Sequence, residues 1–172
     1  VAVNRGDPIE KISQLLDLLD RHEKNEARKA FSVALVAFKR ERIFIGKDKH
    51  VGFTSRKEGA APTDYWHSSL GNVCEQIIGA LGKHGLAHSW RPDTSTPGRV
   101  VVTCVLRHEL GHEETVTLSG PPDASGNKNA LQAVQSSVTS LERYSLLAIT
   151  GLATADMQDD DGRASGDAVL DG

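Results

Sequence analysis

His108-Glu109-Leu110-Gly111-His112 is the one stretch of this chain whose spelling alone names a reaction. H-E-x-x-H is the pattern by which zinc peptidases supply two imidazole ligands and a general-base carboxylate. That chemistry needs a helix, because there positions i and i+4 bring both rings to one ion. The flanks argue for something else. Val100-Val101-Val102-Thr103-Cys104-Val105-Leu106 upstream is rich in β-branched residues, and Glu113-Glu114-Thr115-Val116-Thr117-Leu118 downstream alternates polar and apolar. A short link carrying Gly111 between two such runs is a hairpin turn. His108 and His112 then sit at a solvated turn without helical alignment. Thr115 and Leu118 also stand where the longer zinc-peptidase signature requires Gly and His. A zinc metallopeptidase built on His108 and His112, with Glu142 as a distant third ligand, is therefore the secondary reading, and no metal or other cofactor is expected.

The remaining charged chemistry is basic. Between Arg21 and Lys57, 11 Lys and Arg face 4 Asp and Glu, a balance of +7, although the whole 172-residue chain carries a formal net charge of −3. The difference sits at the end, where Ala153 to Gly172 holds six Asp against one Arg, a balance of −5. A basic segment in a chain with an acidic tail suits a polyanionic partner, with the tail either competing for that surface or recruiting a basic protein. The cations best placed to follow a phosphate backbone are Arg28, Lys29, Lys39, Arg40 and Arg42 on one helix and its exit, then Lys47, Lys49, Arg56 and Lys57 on the hairpin region after it. They form one basic track if those elements share a face. Tyr65, Trp66 and Trp90 are the candidates for stacking on bases, although aromatics at helix starts and strand ends more often serve the core. There is no G-x-x-x-x-G-K-[ST] phosphate loop, nucleophile or paired acid and base, so ATP-driven strand exchange is disfavoured and binding without bond chemistry remains. The chain reads as a binding protein and not an enzyme.

Stepwise along the chain, Asp7, Pro8 and Glu10 form a helix start, followed by Ile9, Ile12, Leu15, Leu16 and Leu19 at helical spacing. A second helix is predicted to begin near Glu23, with Ala27, Phe31, Ala34 and Phe38 on its apolar face. Ile43-Phe44-Ile45 and Val51-Gly52-Phe53, separated by the polar turn Lys47 to Lys49, predict a basic hairpin. Gly59 to Thr63 reads as loop. Leu70, Val73, Cys74, Ile77, Ile78 and Leu81 form the clearest amphipathic helix, which Gly85 ends. Three strands follow, Leu86 to Trp90, Arg99 to Arg107 and Glu113 to Leu118. A long helix then runs from Asn129 to Gly151 with an apolar stripe at Leu131, Val134, Val138, Leu141 and Ser145. The fold class is α+β: an antiparallel sheet, as hairpin plus three-stranded meander, packed by helices with the long one last. Residues 1–152 are expected to make one domain and 153–172 an acidic tail that holds too few large apolar residues past Met157 to order itself. Cys74 and Cys104 lie in apolar patterns without C-x-x-C, as buried reduced thiols do. With no signal peptide or long apolar run, the expected compartment is the cytoplasm, with no membrane association.

The last helix carries a resemblance. Gln132, Ala133, Ser136, Thr139, Arg143, Tyr144 and Leu146 fit the pattern Gln-Ala-x-Gly-Ser-x-x-Thr-Tyr-x-x-Arg-Tyr-x-Leu, and the stretch resembles the signature of the Erf (essential recombination function) family of phage single-strand annealing proteins. Gln135, Ser140 and Glu142 depart from it, standing where Gly, Tyr and a basic residue are common. Leu81-Gly82-Lys83-His84-Gly85-Leu86 is similar to the family's Leu-x-x-His-Gly-Leu, and the order of elements agrees from about Glu23 to Asp161. The resemblance implies a protein that binds single-stranded DNA and anneals it for homologous recombination without ATP. It implies many copies in a ring or filament, Arg143 as a further DNA-binding residue, a phage or prophage origin in a bacterial cytoplasm, and a phage exonuclease or host single-strand binding protein as partner.

Overall fold

The computed structural model describes residues 8–53 and 63–154, and the side chains of 53 and 63–65 stand outside that description. Helix α1 spans Pro8–Arg40, strand β1 Lys49–Phe53, strand β2 Thr63–His67 and helix α2 Leu70–Lys83. Strands β3 (Leu86–Asp93), β4 (Val100–His108) and β5 (Glu113–Gly120) precede helix α3, Ala130–Thr150. The three later strands form an antiparallel meander with β4 in the middle, and β1 and β2 form a separate antiparallel pair. The class is α+β, as the sequence pattern predicts.

Two elements differ from expectation. The helices predicted on either side of Arg21 are one continuous 33-residue helix. Between Arg21 and Lys29 the sequence is polar, but it holds neither Gly nor Pro, so nothing stops propagation. Side-chain pairs bridge the supposed break: Lys24 to Asp20 at 2.7 Å, and Lys29 to Glu26 at 2.8 Å. The second difference is in the hairpin. Ile43 to Ile45 form no strand, and β1 pairs instead with β2, in a register that sets Lys49 opposite His67 and Val51 opposite Tyr65. Tyr65 and Trp66 therefore lie on a strand and not at a helix start. Ile45 is drawn into the core, 2% exposed, which explains why that apolar run was available to mimic a strand.

The core lies where α1, α2 and α3 meet one face of the meander. On β4, Val100, Val102, Cys104 and Leu106 are fully buried at period two, and α3 covers that face while α1 and α2 close its flanks. Phe31 and Phe38 of α1, Val73 and Ile77 of α2, and Leu146 and Leu147 of α3 fill the centre. The face that α3 buries is set by small residues: Ala133, Ser137 and Ser145 are buried while Leu131, predicted on that stripe, is 76% exposed. Small side chains let the helix lie close to the sheet, and their hydroxyls are satisfied locally, Ser137 donating to the Pro121 carbonyl at 2.9 Å and Ser145 to that of Glu142 at 3.1 Å. Asn129 and Gln132 form a reciprocal capping box at the start of α3, and Gly151 ends it at φ 60°, where a methyl would also run into the Lys39 ammonium. Glu41, just past α1, accepts from Lys83 at 3.1 Å and from His84 at 2.8 Å, tying α1's exit to the end of α2.

Phe38→Ala is expected to cost about 3 to 5 kcal/mol in urea unfolding, because it empties the centre of the core. Leu131→Ala is expected to stay within about 0.5 kcal/mol; equal losses would show that the buried face of α3 has been misassigned.

Candidate nucleic-acid interface

The polar face of α3 is as regular as its buried one. Gln132, Ser136, Thr139 and Arg143 recur at helical spacing, with Gln135 and Ser140 beside them, and together they form one wall of a groove of about 960 Å³. The opposite wall is the β1–β2 pair, through Lys49, Val51 and His67, and the floor is the start of α2 at Ser69, Leu70 and Gly71. The loop before α3 adds Asp123, Ser125 and Lys128 at one end, and Tyr144 closes the other.

Backbone carbonyls and short polar side chains hold this frame. Gly46 accepts from Ser68 Oγ at 2.8 Å and from Asn72 Nδ2 at 2.7 Å, so the chain entering β1 is sewn to the chain entering α2. Asp48 accepts from the backbone N–H of Ser69 at 2.6 Å and from its hydroxyl, and those bonds hold its carboxyl below the usual range. Arg143 donates to the Ser68 carbonyl at 2.6 Å and to the Tyr144 hydroxyl at 3.2 Å, with its guanidinium 4.8 Å from the Tyr144 ring centre. Arg143 thus bridges α3 to the β2–α2 junction, and among the described residues it pairs with neither Glu142 nor another carboxylate. Asp123 is a second clasp. Lys128 lies 2.9 Å away and, with the hydroxyls of Ser125 and Ser136, holds the Asp123 carboxyl far below the usual aspartate range, the lysine contributing most.

Of the residues singled out from sequence, the groove gathers Lys49 and Arg143. Arg28 donates to Asn25 at 3.1 Å and Lys29 is paired with Glu26, both on exposed α1. Lys39 reaches the carboxyl end of α3, where a cation is favoured by the helix dipole. Arg40, Arg42 and Lys47 are exposed but do not line the groove. Arg56 and Lys57 lie outside the described residues, as does the side chain of Tyr65. Trp66 is 52% exposed and meets His50 at 5.0 Å, on the face of β1–β2 opposite Lys49 and His67. Trp90 packs on the core and donates its indole N–H to Ser145 at 3.2 Å, beside Cys104, whose thiol is pushed up to about 11 by burial. Lys128, Gln135 and Ser140 were not singled out. The polar stripe of α3 was the available signal for the last two, and Lys128 had none.

The H-E-x-x-H residues form the β4–β5 turn. His108 ends β4 and is buried, its N–H bonded to the His112 carbonyl at 2.9 Å and its Nδ1 accepting from Leu110 N–H at 3.2 Å. His112 packs edge-on against Phe31, with ring centres 5.0 Å apart. The helical i, i+4 alignment that a zinc site requires is not formed, and among the described residues no three His, Cys, Asp or Glu side chains converge to hold a metal. Glu142 sits beside Cys74 on the α2 side, its carboxyl raised by burial.

The model of the ERF superfamily matches residues 40–168. The chain belongs to that superfamily. No curated protein and no solved structure matches the chain. Membership brings a general role in recombination by strand annealing, and it gives the groove its significance. Of the seven signature positions on α3, Gln132, Ser136, Thr139, Arg143 and Tyr144 line the groove, while Ala133 and Leu146 are buried beneath it. The stretch of α3 that carries the resemblance is thus one wall of a concavity and the packing that holds it. No described helix is long and apolar enough to cross a membrane.

Asp123 gives a pH prediction. Its folded pKa is depressed, so its stabilising effect is complete above the unfolded value of about 3.9 and fades as pH falls through the folded value. Asp123→Asn is therefore expected to lower the melting temperature at pH 7, with the gap to the unsubstituted protein closing below about pH 4. A gap independent of pH would mean that the clasp is not electrostatic.

Proposed function

We propose that the groove between α3 and the β1–β2 pair seats a single strand of DNA by its sugar-phosphate backbone, and that copies of the chain assemble into a ring or filament that pairs complementary strands without hydrolysing a nucleotide. Membership of the ERF superfamily, together with the groove formed by the α3 positions that carry the resemblance, supports this reading. Lys49, Lys128 and Arg143 against Asp123 leave the lining positive, as a phosphodiester requires. Gln132, Gln135, Ser136 and Thr139 supply amide and hydroxyl groups suited to phosphate and sugar oxygens, which carry no sequence information. Among the described residues the Tyr144 ring and the His67 imidazole are the aromatic groups in the lining on which a base could stack. A strand gripped by its backbone keeps its base edges available to a complement. That is the requirement of annealing, and neutralised phosphates remove the repulsion between the strands.

The basic residues outside the groove, Arg28, Lys29, Lys39, Arg40, Arg42, Lys47, Arg56 and Lys57, then act as a diffuse field that draws DNA in and not as the seat itself. Residues 153–172, as an acidic tail to a single domain, compete for the same surface or recruit a basic partner such as a phage exonuclease or the host single-strand binding protein. The setting is the cytoplasm of a phage-infected or prophage-bearing cell.

A fluorescent oligonucleotide titrated with the protein at several salt concentrations tests the seat. Log affinity should fall linearly with log salt, and Lys49→Ala and Lys128→Ala should each flatten that slope by about 0.7 per lost phosphate contact. Arg28→Ala should leave the slope nearly unchanged, and Glu109→Gln, which removes the carboxylate of the peptidase motif, should leave the rate of oligonucleotide annealing without ATP unchanged. Affinity indifferent to salt, or slopes that respond to Arg28 and not to the groove lysines, would remove the groove from the account.

A further inference from the structure

Helix α1 extends well beyond the body it serves. Its first buried residue is Ala27, and every residue from Pro8 to Glu26 is exposed. The stretch that touches the β4–β5 turn begins near Asp20, so residues 8–19 project as an arm of about 18 Å. Ile12, Leu16 and Leu19 recur at spacings of four and three and are 59%, 59% and 48% exposed, with Leu15 58% exposed alongside. That spacing is the seam of a helix pair. The arm cannot fold back on the rest of α1, because the two are one continuous helix.

Charge and a matching apolar stripe identify the occupant. The arm carries Glu10 and Asp17 against Lys11, one minus two, or −1, since Asp20 is paired with Lys24. From Glu26 to Arg40 the same helix carries Arg28, Lys29, Lys39 and Arg40 against Glu26, which pairs with Lys29, four minus one, or +3. There Lys29, Val33, Val36 and Arg40 lie at i, i+4, i+7 and i+11 on one outward face, with Val33 71% and Val36 53% exposed. We infer that the arm of one copy packs along this basic outer stripe of α1 in a second copy, head to tail. Pairing arm with arm would set acid against acid, whereas arm on stripe joins opposite charges over an apolar seam. Each copy keeps one free arm and one free stripe, so the contact is heterologous and propagates into a ring or an open filament. It rests on the oligomeric reading proposed above and supplies its joint. The ERF match begins at residue 40, so this joint lies outside the matched region and apart from the DNA groove.

The full chain is to be sized by mass photometry and sedimentation velocity, with and without a single-stranded oligonucleotide, beside Leu16→Glu/Leu19→Glu and Val33→Glu/Val36→Glu double variants. All four positions are exposed, so circular dichroism and melting of both variants should match the unsubstituted protein. The unsubstituted chain should assemble, and each variant should self-associate at least about a hundredfold more weakly. An equimolar mixture of the two variants should form dimers that grow no further, since one intact arm and one intact stripe remain. Assembly that survives either variant, or a mixture that stays monomeric, overturns the head-to-tail joint while leaving oligomerisation standing. An unsubstituted chain that is monomeric even with DNA overturns both the joint and the oligomeric reading.

Discussion

The structure depends on α3 lying close along β4. A central strand buried on one face over Val100, Val102, Cys104 and Leu106 needs a cover without bulk at the crossing, and Ala133, Ser137 and Ser145 provide it. Close approach fixes the rotation of the helix about its axis, because a turn of one residue would drive Gln132 and Ser136 against the sheet. With the rotation fixed, the polar stripe has only one direction to face. The groove is therefore a consequence of core packing, and substitutions at the buried small residues act on the site without touching it.

The frame around that stripe is polar and nearly free of ion pairs. Gly46 and Ser68 contribute carbonyls, Ser69 a hydroxyl and an amide, and Arg143 spends its guanidinium on a carbonyl and a tyrosine. An arginine committed in this way still presents positive charge, since a carbonyl does not neutralise it as a carboxylate would. Lys128 differs, because Asp123 offsets much of its field until a competing anion enters. In the proposed reading the groove thus has a permanent cation at one end and an exchangeable one at the other, with Lys49 across from both.

Much of this was legible in the sequence where local pattern and tertiary use agree. Period-two runs on both sides of His108 to His112 outweighed a motif spelled in full, because a zinc site requires a backbone conformation that the flanks forbid. The meander, α2 and the ends of α3 followed from the same periodicities and from Asn129 and Gly151 as caps. Errors arose where polarity was taken for a break or apolarity for burial. The polar stretch after Leu19 read as a break before a second helix near Glu23, although it holds no residue that ends a helix. Ile43 to Ile45 read as a strand, although Ile45 was going into the core with Ile43 packed against it. Leu131 read as buried because the pattern favours large apolar residues, whereas the buried face of α3 runs through Ala133, Ser137 and Ser145. The groove itself needs β1 and β2 brought beside α3 across most of the chain, and no local pattern reports such a distance.

The division of labour along α1 follows from the same physics. Its second half earns a place in the fold through Ala27, Phe31, Ala34 and Phe38, spaced to meet the meander. Its first half carries Ile12, Leu15, Leu16 and Leu19 exposed, and none of its residues is buried among the described residues. A monomer gains nothing by extending such a helix into water, since each exposed leucine adds cost without adding core. Continuity makes the extension useful: a rigid rod rooted by two buried phenylalanines holds its free end at a fixed angle, as a joint between copies requires and a loose tail could not. If DNA is gripped weakly by each groove, affinity for a long strand then depends on how many grooves one strand meets in register. The angle at which α1 leaves the body, set by Phe31 and Phe38, would govern that spacing, which ties the core of each subunit to the geometry of annealing.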